Sequence, residues 1–230
     1  MVERLNSDFF LERNDAREIL ITKQRKKFKE FEQLSSVNSG LIKPERIVKE
    51  LNNVLPEDTY IIVDPGTPCP YFAAYYKFKK SGRYFITNRA HGALGYALPA
   101  AIGVQIAKPK NKTVSIMGDG SFGFAVGELE TALRLKLPII FIVISNSVYG
   151  WIKAGQKTKF DKRYFSVDFT RTDHSRVAAA FGLKSWKVEK PGDLKKIISQ
   201  AVKYKKGPCL IDIISQPLQD AKAPVSEWIA

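Results

Sequence analysis

The chain has 230 residues, with 37 Lys and Arg against 23 Asp and Glu (a formal charge of +14), 44% hydrophobic and 26% charged residues. That balance belongs to a globular fold and excludes a disordered or fibrous chain; the longest apolar runs, such as residues 138–145, fall far short of the ~20 residues a membrane helix needs. Two cysteines, Cys69 and Cys209, exclude a disulfide framework and a Cys-based zinc cluster. The basic residues are spread over the whole length, so solvated lysine faces are expected and nucleic-acid binding is not. The opening MVERLNSDFF has two acids and no apolar signal core, which predicts a cytoplasmic protein.

In chain order, residues 1–40 stand apart in composition. A charged helix is predicted over 15–34, with apolar positions too sparse for a core face, followed by the polar breaker Ser35-Ser36-Val37-Asn38-Ser39-Gly40. This helix is expected to dock on another element or to serve as a linker. An amphipathic helix over 44–55 begins with Pro44 and stops before Pro56. Then come a strand at 60–63, a helix around 70–77, a strand at 84–87 and a helix rich in small residues over 94–107. A strand at 113–117, a helix over 125–135, a strand at 139–145 and a short helix near 148–155 follow. Beyond a basic loop lie a helix at 173–181, a strand at 184–188, a helix at 191–204 and a strand at 209–214. Short, continuously apolar strands alternating with helices predict a three-layer α/β/α fold with a mostly parallel sheet and an N-terminal helical extension. The expected division is 1–40, 41–216 and a C-terminal tail 217–230. Ligands are expected beyond the carboxyl ends of the strands.

The stretch that carries chemistry is Val114 to Gly150. Gly118-Asp119-Gly120-Ser121-Phe122-Gly123 has the literal form G-x-G-x-x-G between a strand and a helix, which would suggest a dinucleotide. The next strand ends in Ser145-Asn146 with no acid for a ribose, and Asp119 would set a carboxylate against a pyrophosphate. A divalent cation between them removes the conflict. Magnesium commonly takes one or two protein carboxylates plus ligand phosphates. Asn146 lies 27 residues after Asp119 at the end of the adjacent strand, so one βαβ unit brings both side-chain oxygens to the same sheet edge. Gly118 and Gly120 allow close backbone approach, and Ser121 puts a hydroxyl beside the positive end of a helix.

Gly118-Asp119-Gly120, the intervening Glu128-Leu129-Glu130-Thr131-Ala132 and Leu137-Pro138, and then Asn146 resemble the thiamine diphosphate motif. Upstream, Gly92-Ala93-Leu94-Gly95-Tyr96-Ala97-Leu98-Pro99 is similar to the same family's cofactor-facing turn. The resemblance spans about residues 42–216 and is closest to the diphosphate-binding, C-terminal domain of the acetolactate synthase and benzoylformate decarboxylase branch. It implies thiamine diphosphate and Mg2+ as cofactors. Asp119, the Asn146 side chain and the Val148 carbonyl would ligate the metal. Gly66, Thr67, Gly118, Gly120 and Ser121 would hold the diphosphate, with Tyr149 and Gly150 also at the cofactor. Leu94 would prop the cofactor in its bent form and the Gly92 carbonyl would accept from the aminopyrimidine; these two are the positions implied for catalysis. One departure is Ser145, where the family usually has the first of two asparagines.

The resemblance further implies a pyrimidine-binding domain with a glutamate, for which the chain has no room. Residues 1–40 would be the remnant of a connection to a middle domain. The expectation is a split 2-oxo acid decarboxylase or carboligase, acetolactate synthase-like, with a pyrimidine-domain subunit as partner in a two-plus-two hetero-oligomer and a small 2-oxo acid as substrate. The alternatives are a subunit of a substituted-pyruvate (sulfopyruvate-type) decarboxylase, or a non-catalytic cofactor-binding or regulatory subunit. Of the remaining residues, His91 is a substrate contact or a surface residue, and His174 belongs to a capping region. Glu128 and Glu130 are solvated or packing residues, and Cys69 is not a nucleophile. Trp151, Lys153 and Gln156 are candidates for the substrate entrance.

Overall fold

The computed structural model describes residues 7–217, with side chains from residue 16 onward. Six strands, β1 (Tyr60–Val63), β2 (Phe85–Ile86), β3 (Thr113–Gly118), β4 (Ile140–Ser145), β5 (Lys184–Val188) and β6 (Cys209–Ile214), form one sheet in the order β2-β1-β3-β4-β6-β5. Every neighbouring pair is parallel, for example Ile61↔Val114, Ile116↔Ile142 and Ile142↔Ile211. β1, β3, β4 and β6 are apolar on both faces because both faces are covered. Ile61, Val63, Ile116, Ile142 and Ile211 pack against α2 (Pro44–Val54), α3 (Pro68–Tyr75) and α9 (Leu194–Lys203). Ile62, Met117, Phe141, Val143 and Leu210 pack against α4 (Ala97–Ala107), α5 (Asp119–Ala125), α6 (Glu128–Arg134) and α8 (His174–Ala180) on the other face. The result is the three-layer α/β/α arrangement.

Strands β1, β5 and β6 lie where the sequence predicts them, and the rest shift for local reasons. The first helix, α1 (Ser7–Ser35), starts eight residues earlier than expected. Its apolar positions do dock: Phe31 is buried and stacks on Tyr75 at 4.6 Å between ring centroids. Residues 16–26 of the same helix are exposed. Pro68 and Pro70 both fall in the first turn of α3, where the missing N–H groups cost nothing, so that helix begins two residues early. α4 begins at Ala97 rather than at residue 94 because Gly92 (φ 74°) and Gly95 (φ 84°) hold a left-handed turn before it.

The predicted helix 125–135 is two helices. α5 starts at Asp119 itself, directly from the end of β3, and a break at Val126 and Gly127 precedes α6. α7 (Gly150–Lys159) begins after residue 148 because Ser147 (φ 58°) turns the chain and Val148 bridges to Asp168. The predicted helix 191–204 opens with a 3-10 turn, Pro191–Asp193, before α9. The predicted tail lies outside the described residues apart from Pro217.

Strand order decides where a ligand fits. From β1 the chain moves outward to β2, then crosses back to place β3 on the other side of β1. The crevice between the carboxyl ends of β1 and β3 is the topological switch point of the sheet.

Candidate functional site

A cavity of about 250 Å³ opens at that crevice. Its walls come from four segments: Pro65, Gly66 and Thr67 after β1; Arg89, Gly92 and Leu94 after β2; Gly118 to Ser121 at the β3–α5 junction; and Asn146 with Val148 to Ile152 after β4. Every residue singled out from the sequence for cofactor or metal is among them: Gly66, Thr67, Gly92, Leu94, Gly118, Asp119, Gly120, Ser121, Asn146, Val148, Tyr149 and Gly150. Trp151 is there too. Lys153 is instead paired with Asp168 at 2.6 Å, Gln156 is bonded to the backbone of Phe165, and His91 is exposed outside the wall. Pro65, Arg89 and Ile152 were not singled out, and no residue pattern marks them beyond their place in loops after strand ends.

Asp119 is buried at the floor of the cavity, and its carboxylate ties two strand ends together. It accepts hydrogen bonds from the N–H groups of Asn146 (2.8 Å), Ser147 (2.6 Å) and Gly120 (2.9 Å). Burial pushes its carboxyl up from the ordinary value, while the N–H groups of Ser147, Asn146 and Gly120 and the nearby His174 pull it back. Beside it the Oδ1 atom of Asn146 is buried without a hydrogen-bond partner. A buried amide oxygen left bare costs free energy unless something binds it. The carbonyl of Val148 accepts from the N–H of Gly150 (2.9 Å) and keeps a second lone pair.

A carboxylate, a bare amide oxygen and a carbonyl form an all-oxygen donor set suited to a hard divalent cation. Among the described residues no three His, Cys, Asp or Glu side chains converge, so such an ion would need oxygens from a ligand to complete its shell. The surroundings suit an anionic ligand. Thr67 stands at the N-cap position of α3, and Gly120 and Ser121 lie in the first turn of α5, so the N-terminal ends of two helices border the cavity. Gly120 is needed for its lack of a side chain: a Cβ there would lie 2.4 Å from Cε1 of Tyr149.

Behind the floor, the departure at Ser145 acquires a structural meaning. Its hydroxyl donates to Asp212 (2.5 Å) and lies 3.0 Å from Nδ1 of His174. The other Asp212 oxygen accepts from the His174 N–H at 3.0 Å. His174 is therefore a buried member of a polar network joining β4, β6 and α8. The cap of α8 is Asp173, which accepts from the Arg176 N–H. Cys69 lies 3.9 Å from the Thr87 hydroxyl, and burial raises its thiol pKa, which keeps it protonated. Glu128 and Glu130 are exposed and pair within their own helix, with Thr131 and Arg134.

Comparison with known proteins agrees with this geometry. Residues 64–213 match the thiamine pyrophosphate enzyme, C-terminal TPP binding domain. The chain is 37% identical over 170 residues to an acetolactate synthase of Bacillus subtilis, covering 74% of this chain and 29% of that protein. It is 30% identical over 213 residues to the mitochondrial acetolactate synthase catalytic subunit of Saccharomyces cerevisiae (91% of this chain, 30% of that one). To the acetolactate synthase isozyme 3 large subunit of Escherichia coli it is 32% identical over 167 residues, 72% and 29% of the two chains. The chain thus spans under a third of the length of these relatives.

Proposed function

The chain belongs to the thiamine pyrophosphate enzyme family, and on that premise we propose that it is the diphosphate-holding part of a thiamine diphosphate- and Mg2+-dependent enzyme of the acetolactate synthase kind, acting on 2-oxo acids. The observation that carries this reading is the junction of Asp119 with the bare Oδ1 of Asn146, set between two helix N-termini at the switch point of the sheet.

In this reading Asp119, Asn146 Oδ1 and the Val148 carbonyl would hold Mg2+, and Gly120 and Ser121 would lie against the diphosphate, with the Ser121 N–H and hydroxyl as donors. Gly66 and Thr67 close the opposite side, Gly118 lets the diphosphate approach the backbone, and Tyr149 and Gly150 form the wall beyond the metal. Leu94 lies beside Gly66, where a Cβ would sit 3.7 Å from its Cδ2, and it would give the cofactor an apolar support. The left-handed turn at Gly92 presents that residue's carbonyl as an acceptor for the aminopyrimidine. When bound, the cofactor supplies a carbon nucleophile for the 2-oxo group and a sink for the electron pair left as carbon dioxide departs. The chain's own residues bind, orient and keep the cofactor's two rings in reacting geometry.

Among the cavity-lining residues Asp119 is the one carboxylate, and it is committed to the metal. In this reading an acid for the pyrimidine ring would come from outside the described residues, and a pyrimidine-domain subunit in a hetero-oligomer is the proposed source. Ile152, an exposed apolar residue in the cavity wall, supports a partner on that face. Relatives such as the Escherichia coli protein carry the name "large subunit", which supports assembly with another subunit. The second reading, a decarboxylase of substituted pyruvates, is favoured by one observation, the guanidinium of Arg89 in the cavity wall.

Titration calorimetry of the full chain with thiamine diphosphate tests the proposal. One site per chain is expected, with affinity at least tenfold weaker without Mg2+; binding that ignores Mg2+, or no binding with or without a co-purified partner, would refute it. An assay of 2-oxo acid decarboxylation by the chain alone tests the partner, and robust activity there would exclude it.

A further inference from the structure

Arg89 follows β2 by three residues and lines the cavity as a partly solvent-exposed residue. Two contacts fix its guanidinium: it donates to the carbonyl of Pro65 at 3.0 Å and lies over the ring of Trp151, 4.4 Å from the centroid. Neither partner is charged. None of the ion pairs among the described residues involves Arg89. A guanidinium has five N–H donors in a rigid fork, so a cation held in place at the cavity wall retains donors for an anion. An oxyanion with two or three oxygens matches that fork.

Resting on the proposed function, we infer that Arg89 is a specificity-determining residue that receives a second anionic group, a carboxylate, sulfonate or phosphonate, on a substituted 2-oxo acid. The carboxylate at the reacting carbon is the poorer match for this residue. It loses its charge as carbon dioxide leaves, so an arginine paired with it would hold the ground state more tightly than the transition state. A remote anionic group keeps its charge throughout, and Arg89 then strengthens binding without opposing the reaction. Trp151 stacks on the guanidinium and shields one of its faces from water, which strengthens the pairing.

Trp151 also provides the readout. The full chain carrying Trp186→Phe and Trp228→Phe retains Trp151 as its one tryptophan. Its fluorescence is followed during titration with 3-sulfopyruvate and with 2-oxobutyrate, with and without Mg2+ and thiamine diphosphate. The expected result is at least tenfold tighter binding of 3-sulfopyruvate, lost in Arg89→Gln and partly kept in Arg89→Lys, with cofactor affinity by calorimetry unchanged within twofold. No preference in the parent, or the same preference in Arg89→Gln, would overturn the inference. So would a tenfold loss of cofactor affinity in Arg89→Gln with the preference intact, because the guanidinium would then serve the diphosphate. A preference that depends on Arg89 in a chain that binds no cofactor would leave the inference standing and remove the proposed function instead.

Discussion

Two aspartates stand at the carboxyl ends of neighbouring strands, Asp64 after β1 and Asp119 after β3, both buried. Asp64 directs one oxygen at the N–H groups of Tyr96 (3.0 Å) and Ala97 (3.4 Å), and its other oxygen has no partner. Burial outweighs those bonds and pushes its carboxyl up to about 6. Asp119 has three N–H donors shared between its two oxygens and faces the cavity. The same side chain, one strand apart, serves two purposes. Asp64 caps the start of α4, keeps the Gly92–Tyr96 turn in place and sits close to protonation. Asp119 has its carboxyl raised by burial and lowered again by its N–H donors, and it faces an opening through which a cation can arrive. Three backbone N–H groups act on each, so access to the cavity, and the spread of donors over both oxygens of Asp119, separate a scaffold carboxylate from a ligand carboxylate.

Exchanging the properties of the two residues tests that distinction. The largest effect is expected for Asp119→Ala, which removes the anionic metal ligand. Cofactor affinity should fall by a hundredfold or more, about 3 kcal/mol or above, in calorimetry with Mg2+ present. Unchanged affinity would put the site elsewhere. Asp64→Asn should leave the cofactor bound and act on stability.

The sign for Asp64 follows from its raised value. A carboxyl near 6 in the folded protein and 3.8 otherwise favours folding while protonated. Its contribution is full below pH about 4 and is lost as pH rises through about 6, a change of about 3 kcal/mol. Urea denaturation across that window should show the wild type losing stability relative to Asp64→Asn as pH increases. Parallel profiles would mean that Asp64 ionises freely.

Gly120→Ala drives a Cβ into the Tyr149 ring and should cost about 2 kcal/mol of stability together with cofactor binding. Tyr149→Ala in the same chain should recover part of the stability, as thermal unfolding of the pair would show. The smallest effect on binding belongs to Asn146→Ala. A neutral ligand is replaceable by water on an octahedral ion, so a loss of about tenfold, ~1.4 kcal/mol, is expected. A loss as large as that of Asp119→Ala would show that the amide, not the carboxylate, carries the metal.

The strands were legible because a parallel sheet covered on both faces requires apolar runs; Tyr60–Val63 is unbroken, and Cys209–Ile214 is interrupted by Asp212 alone. The cavity-lining residues were legible because the glycines, the acid and the amide fall at strand ends, where backbone topology brings distant segments together. The Ser145–His174–Asp212 network was not, since three residues far apart in sequence carry no shared pattern and only the packing of α8 against β6 joins them. The start of α5 at Asp119 was hidden for a related reason. Two glycines read as a turn, yet one is there to clear Tyr149, a contact made across the sheet edge. Arg89 escaped because one more cation in a basic chain is indistinguishable until its neighbours are known.

The place of β6 has a consequence for how the chain acquires its shape. Among the described residues it is the last strand in sequence, but it sits between β4 and β5 and is the one strand that β5 pairs with. During synthesis, β1 to β4 can associate as they emerge, while the β4 edge, Ile140–Ser145, waits uncovered for more than sixty residues. That edge is six apolar or small residues without a charge, the kind of segment that recruits strands from other chains. The nascent chain is thus most prone to self-association after β4 has emerged and before β6 has, and the arrival of Cys209–Ile214 covers that edge.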